Sequence, residues 1–316
     1  MLKSIIKNLF DHNLYAAQDD HILVVADFEK ETLARNVYQA IIDNHYSAEF
    51  IIMETRSKSG EEPPASVVAA MEQVTICLCI TEHSLTHTLA RKAASAKGVK
   101  VITMPGVTED MFTEGALKAD YRQVKQLTNE VTNILDAGKS VTIKTGENGE
   151  YELTIDVEGQ NGISSTGVFE QKGDSGNLPS GESYIAPVKG KANGKILIDG
   201  SIAGIGKLSM PIILTVEDGR LTEAEGNTGE QLLAILGTGD GRFLGELGIG
   251  TNHTARVTGN ILEDEKAYGT VHVAFGTNIT FGGTINAGVH IDCVTLKPQL
   301  AIDGKIIVEN GQVSVV

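Results

Sequence analysis

Glycine is spread so unevenly along this chain that its two ends cannot share one architecture. Gly60, Gly98, Gly106 and Gly115 precede residue 138, and the other 31 of the 35 glycines follow it. Glycine at that density marks tight turns and bulges, so the region 138–316 reads as β-rich. A chain of 316 residues is long enough for two cores. The composition break therefore predicts an α/β domain over 1–137 and a β-rich domain over 138–316, an α+β arrangement overall.

The first region alternates. Apolar runs at 21–26, 48–53, 74–80 and 99–104 are separated by helical patterns at 28–43, 64–71, 84–97 and 114–136. Continuous apolar strands between amphipathic helices predict a doubly wound parallel sheet, a flavodoxin-like scaffold. The initial pattern at 2–14 reads as a helix outside that unit. The first strand runs into Ala26-Asp27-Phe28-Glu29-Lys30-Glu31, with no glycine to let the backbone approach a pyrophosphate. A dinucleotide site is therefore not expected. His83 and His87 lie four apart in a helical pattern but lack the glutamate of a His-Glu-x-x-His site, so they read as solvated or capping groups. Cys77 and Cys79 sit in an apolar strand pattern and read as small core hydrophobes; with Cys293 they make an odd count, which suits a reducing compartment.

In the second region, short runs bounded by Gly, Asn and Asp predict many antiparallel strands. Asp218-Gly219 and Asn310-Gly311 are hairpin turns, and a helix interrupts at 228–236, ended by Gly237. The net charge of −15 argues against a surface that coats phosphate backbones, and the absence of tryptophan argues against base stacking. The N-terminal pattern is broken by lysines, unlike a signal peptide, and no apolar run reaches membrane-span length. A cytoplasmic protein acting on a peptide or small molecule, assembled as a homodimer and without nucleic-acid or membrane partners, is expected.

The chemistry concentrates in the β-rich region. In His290-Ile291-Asp292 the two polar side chains stand at i and i+2, hence on one face of a strand. An imidazole and a carboxylate aimed at one point make half of a divalent-metal site. His272 lies in the apolar run Val271-His272-Val273-Ala274-Phe275. Glu246 lies among Leu244, Leu247 and Ile249, where a buried carboxylate needs a cation. Glu182 follows Pro179-Ser180-Gly181, and this proline-bracketed loop reads as a rigid holder that needs no regular strand. His253 is a further candidate beyond a glycine turn. Three carboxylates and two imidazoles suit Zn, Mn, Co or Fe, and two divalent ions would offset the carboxylate charge.

Taken in order, Asn177-Leu178-Pro179-Ser180-Gly181-Glu182, Leu244-Gly245-Glu246-Leu247-Gly248-Ile249-Gly250, Val271-His272-Val273-Ala274-Phe275-Gly276 and His290-Ile291-Asp292 resemble the motif set of the aminopeptidase T / aminopeptidase S metalloaminopeptidases. The resemblance implies a two-metal centre (two of Zn, Co or Mn) held by Glu182, Glu246, His272, His290 and Asp292. It implies release of N-terminal residues by metal-activated water, with Glu182 and Glu246 as the catalytic carboxylates. The family carries a ligating tyrosine seven residues after the histidine matched by His272, where this chain has Ile279. The same superfamily resembles the 2,5-dihydroxypyridine dioxygenases, which implies an alternative: one Fe(II) on His290, Asp292 and either His272 or His253, opening a hydroxylated ring. A third possibility is a binding or oligomer-forming relative without catalysis.

Overall fold

A computed structural model describes residues 2–315. The chain forms two compact units, one of Met1–Arg122 with Gly167–Ser180, the other of Gln123–Thr166 with Gly181–Val316. Neither is continuous in sequence.

The first unit is a five-stranded parallel sheet in the order Ser47–Met53, His21–Asp27, Ile76–Ile80, Lys100–Thr103 and Ser175–Asn177. Helices Glu31–Asp43, Ala65–Met71 and Leu89–Ala96 alternate with the first four strands. Every residue of Ile76–Ile80 is buried, as a strand covered on both faces requires. Cys77 and Cys79 are part of this core; their mutual hydrogen bond and burial push the Cys77 thiol up, so it is inert. Two elements depart from the sequence reading. The helix expected over 84–97 starts only at Leu89, because the Thr88 side chain caps it by accepting from the Arg91 N–H. His83 and His87 therefore precede the helix and share no helical face. The pattern at 114–136 resolves into a short turn, Ala116–Lys118, and the helix Tyr121–Ala137, which belongs to the second unit from Gln123 on, with Glu109–Thr113 as a separate helix before them. The fifth strand, Ser175–Asn177, carries no strand signal of its own; its parallel pairing with Lys100–Thr103 defines it.

The second unit holds two antiparallel sheets, one of eight strands and one of seven. Their apolar faces form one core, with Val141, Ile143, Leu153 and Ile196 from the larger sheet and Leu247, Ile249, Val273 and Phe275 from the smaller. Each such side chain contributes roughly 1.5–3 kcal/mol by leaving water. The hairpin turns at Asp218-Gly219 and Asn310-Gly311 have both central residues at positive φ (46° and 73°, 51° and 76°), and Asp303-Gly304 repeats the device (49° and 82°). The helix is Gly226–Leu236. Among the described residues no helix is long and apolar enough to cross a membrane.

Candidate metal centre

Four neighbouring strands of the seven-stranded sheet carry the polar residues singled out above: Glu182–Ile185, Leu244–Gly250, Val271–Gly276 and His290–Thr295. Contrary to expectation, Glu182 opens a regular strand rather than sitting in a loop. Register decides the rest. Glu182 pairs with Gly250, Tyr184 and His272 flank Gly248, Ala274 joins Glu246 to Asp292, and Gly276 faces His290. Paired residues share a face, so Glu182, Tyr184, Glu246, His272, His290 and Asp292 stand on one side. Alternation sends Ile185, Leu247, Ile249, Val273 and Cys293 into the core on the other.

The side chains meet. The His272 Nε2 lies 3.4 Å from Glu182 Oε2 and 3.4 Å from Glu246 Oε1; the His290 Nε2 lies 3.4 Å from Glu246 Oε2 and 3.3 Å from Asp292 Oδ1. The backbone oxygen of Thr277 fixes the His290 ring through Nδ1 at 2.9 Å. The donors fall into groups whose ligating atoms lie within 4.8 Å of one another: Glu182, Glu246 and His272; Glu246, His290 and Asp292; and Glu265, His272 and Asp292. Glu246 belongs to the first two. Among the described residues no such group holds both histidines, but Glu246 and Asp292 each fall in one group with His272 and in another with His290. His253 belongs to no group. It is exposed and stacks on Tyr268, ring centroids 4.0 Å apart.

A cation fits this donor set. The buried Glu182 Oε2 has no hydrogen-bond partner, and a buried acceptor without a partner is costly. Gly248 makes the room for His272: a Cβ there would lie 2.1 Å from the imidazole Nε2.

The family model for NicX, 2,5-dihydroxypyridine 5,6-dioxygenase, matches residues 20–315. The chain belongs to the NicX family. Among solved structures, the 2,5-dihydroxypyridine dioxygenase from Pseudomonas putida KT2440 matches at 14% identity, with a TM-score of 0.81, over 99% of this chain and 96% of that one. Wild-type AmpT from Thermus thermophilus matches at 17% identity, with a TM-score of 0.68, over 99% and 98%. No curated protein matches the sequence. The aminopeptidase resemblance is thus one of fold, and the family relation is to the NicX chains.

In this NicX-family site, burial and charge compete. Burial pulls His290 down, but the Asp292 carboxylate, with Glu246 adding to it, lifts it to about 10. Burial would raise Asp292, yet the His290 charge and hydrogen bond hold it at about 2. His272 is raised despite its burial, chiefly by the hydrogen bond to Glu246 and by Glu182. Burial raises Glu246 against the pull of His272 and His290. Burial and the Glu246 and Glu182 charges push the Tyr184 phenol well above its ordinary range, so it stays protonated.

Sequence reasoning missed four contributors. Tyr184 was hidden by the loop reading of its segment; its spacing of two from Glu182 was the available signal. Gly248 looked like one glycine among many. Glu265 and Lys266 lie in Glu263-Asp264-Glu265-Lys266, a run of charges that resembles a solvated turn. In the structure Glu263, Asp264 and Lys266 are all buried. Lys266 Nζ lies 3.1 Å from Glu182 Oε1 and also pairs with Glu265.

Proposed function

We propose that this chain is a metal-dependent oxygenase that opens a hydroxylated aromatic ring, working with one Fe(II) held by Glu246, His290 and Asp292. The observation that carries this reading is the family match over residues 20–315, a span that includes every donor. Those three residues would hold the iron, which when bound would supply the activation of oxygen. The protein's own groups do the remainder. Tyr184 and Phe281 pack edge to face with centroids 5.3 Å apart, and Phe281 meets the His290 ring at 6.0 Å in the same manner. These rings form an aromatic wall beside the donors, suited to a planar substrate. The protonated Tyr184 phenol donates a hydrogen bond to the oxygen of a ring hydroxylate. Glu182 Oε2, without a hydrogen-bond partner, accepts the proton that such a hydroxyl gives up on binding. The test is anaerobic iron loading followed by oxygen uptake with a panel of dihydroxylated pyridines and benzenes. Uptake coupled to loss of the ring absorbance is expected; no uptake at full iron occupancy across the panel rejects the reading.

One observation favours a second reading, a two-metal aminopeptidase. Two donor groups share Glu246, so Glu182 and His272 would be available to one ion and His290 and Asp292 to another, and two such ions would supply an activated water. Release of apolar amino acids from their amides with Zn, Co or Mn, at two ions per chain, would establish it.

A further inference from the structure

Solvent reaches the five donors unevenly. The side chains of Glu182, Glu246, His272 and Asp292 are each at most a tenth exposed, whereas that of His290 is 31% exposed. The Phe281 ring stands beside this opening, edge to face with His290 at 6.0 Å and with Tyr184 at 5.3 Å. Phe281 belongs to the connection 277–289 between Val271–Gly276 and His290–Thr295. The base of that connection is tied down. The buried Asn278 side chain donates to the Gly245 carbonyl at 3.0 Å and accepts from the Ile285 N–H at 2.8 Å. Thr277 Oγ1 accepts from the N–H groups of Ala287 and Gly288. Gly283 packs so closely that a Cβ there would lie 2.0 Å from the Asn278 amide carbon. The tip, 279–282, is held differently. Among the described residues no hydrogen bond or ion pair joins it to the sheet, and the Phe281 N–H donates to the Asn278 carbonyl within the connection itself. Ile279 is 49% exposed, and Gly282 stands at φ 97° with open space where a side chain would be.

We propose that 279–282 is a flap whose Phe281 ring gates the donor cluster. With the base fixed, movement is confined to these four residues, and the glycine beside Phe281 absorbs the change in backbone angle. Two edge-to-face ring contacts hold the tip closed, and contacts of that strength leave an open minority of about 1–10% of molecules. Whatever binds the donors enters and leaves through that minority. The flap closes over empty and loaded donors alike, so it slows both directions and leaves the equilibrium where it was. A ring that merely supported His290 would act otherwise: its loss would lower affinity through faster exit alone. The inference rests on the donors taking up a divalent ion, and it holds for oxygenation and hydrolysis alike.

Two rates test it. Chelator-treated full chain is mixed with Co(II) in stopped flow and followed by visible absorption, and the loaded chain is mixed with excess EDTA. Phe281→Ala is expected to speed uptake and release alike by about 10- to 100-fold, with affinity unchanged within about 3-fold. Phe281→Tyr, which keeps the ring, is expected to stay at wild-type rates. Equal rates in wild type and Phe281→Ala, or a change confined to one of the two rates, overturn the gate while the metal centre stands. If wild type takes up no Co(II), the metal reading falls and a second measurement judges the flap. Diethyl pyrocarbonate modification of His290 is then mapped by peptide mass spectrometry, with exposed His253 as the internal reference. Faster modification in Phe281→Ala sustains the cover, and an equal rate overturns it.

Discussion

The buried charges of the first unit and those of the donor cluster in the second are partnered differently. In the first, Asp27 is buried but saturated: Oδ1 accepts from the Lys30 N–H at 3.1 Å and Oδ2 from the Glu82 N–H at 2.7 Å. Lys100 donates to the Leu14 carbonyl at 2.5 Å, and Asn13 to Gly167 at 2.7 Å. Each charge or amide there closes a loop against the backbone. In the second unit, charged side chains face one another, and Glu182 Oε2 and His272 Nδ1 are left without hydrogen bonds. The first pattern stabilises a fold and ends there; the second leaves capacity for something the chain does not contain.

This contrast can be broken experimentally. The largest effect is expected from His290→Ala, which removes one of three donors and should weaken metal binding by more than about 100-fold, measured by metal retention on gel filtration. The first unit's far-ultraviolet signal and its protection from proteolysis should not change. Next comes pH. In the metal-free chain His290 is protonated up to about 10, whereas the unfolded residue titrates near 6.5. The folded state therefore holds the extra proton between those values, and its stabilisation is full below about 6.5 and lost as pH rises to about 10. Thermal midpoints of the chelated protein should fall by several degrees across that window. Metal affinity should move the other way, since the proton must leave before the imidazole can bind. A smaller effect is expected of Gly248→Ala: its Cβ would displace the His272 ring from 2.1 Å, weakening metal binding about 10-fold with little change in secondary structure, as isothermal titration would show. The smallest is Asp27→Ala, which orphans two N–H groups at a cost of about 1–2 kcal/mol in urea unfolding and leaves metal binding unchanged.

What could be read in advance follows from period and range. His290 and Asp292 were legible because a strand repeats every two residues, and Glu246 and His272 because a polar group in an apolar run needs a partner. The alternating first unit was legible for the same reason. The fifth strand was not: Ser175–Asn177 is three small polar residues whose strand character comes wholly from Lys100–Thr103. Nor was the division of the donors, because whether Glu246 or His272 stands with His290 depends on side-chain reach across four strands. Lys266 was hidden twice over. Its neighbours Glu263 and Asp264 resemble a solvated turn, yet Asp264 accepts from the Thr258 and Gly259 N–H groups and Glu263 pairs with Arg256. Its own partner, Glu182, is distant in sequence, and local pattern carries no such information.

The return of Gly167–Ser180 to the first unit has a bearing on biosynthesis. As the polypeptide leaves the ribosome, the Lys100–Thr103 edge has no neighbour until residue 177 has emerged. By then two strands of the other unit, Ser140–Thr145 and Tyr151–Asp156, have already been made and can pair. The nascent chain therefore carries an open parallel edge while its successor is already forming hairpins, and a ribosome stalled short of that point would present an aggregation-prone intermediate rather than a finished N-terminal domain.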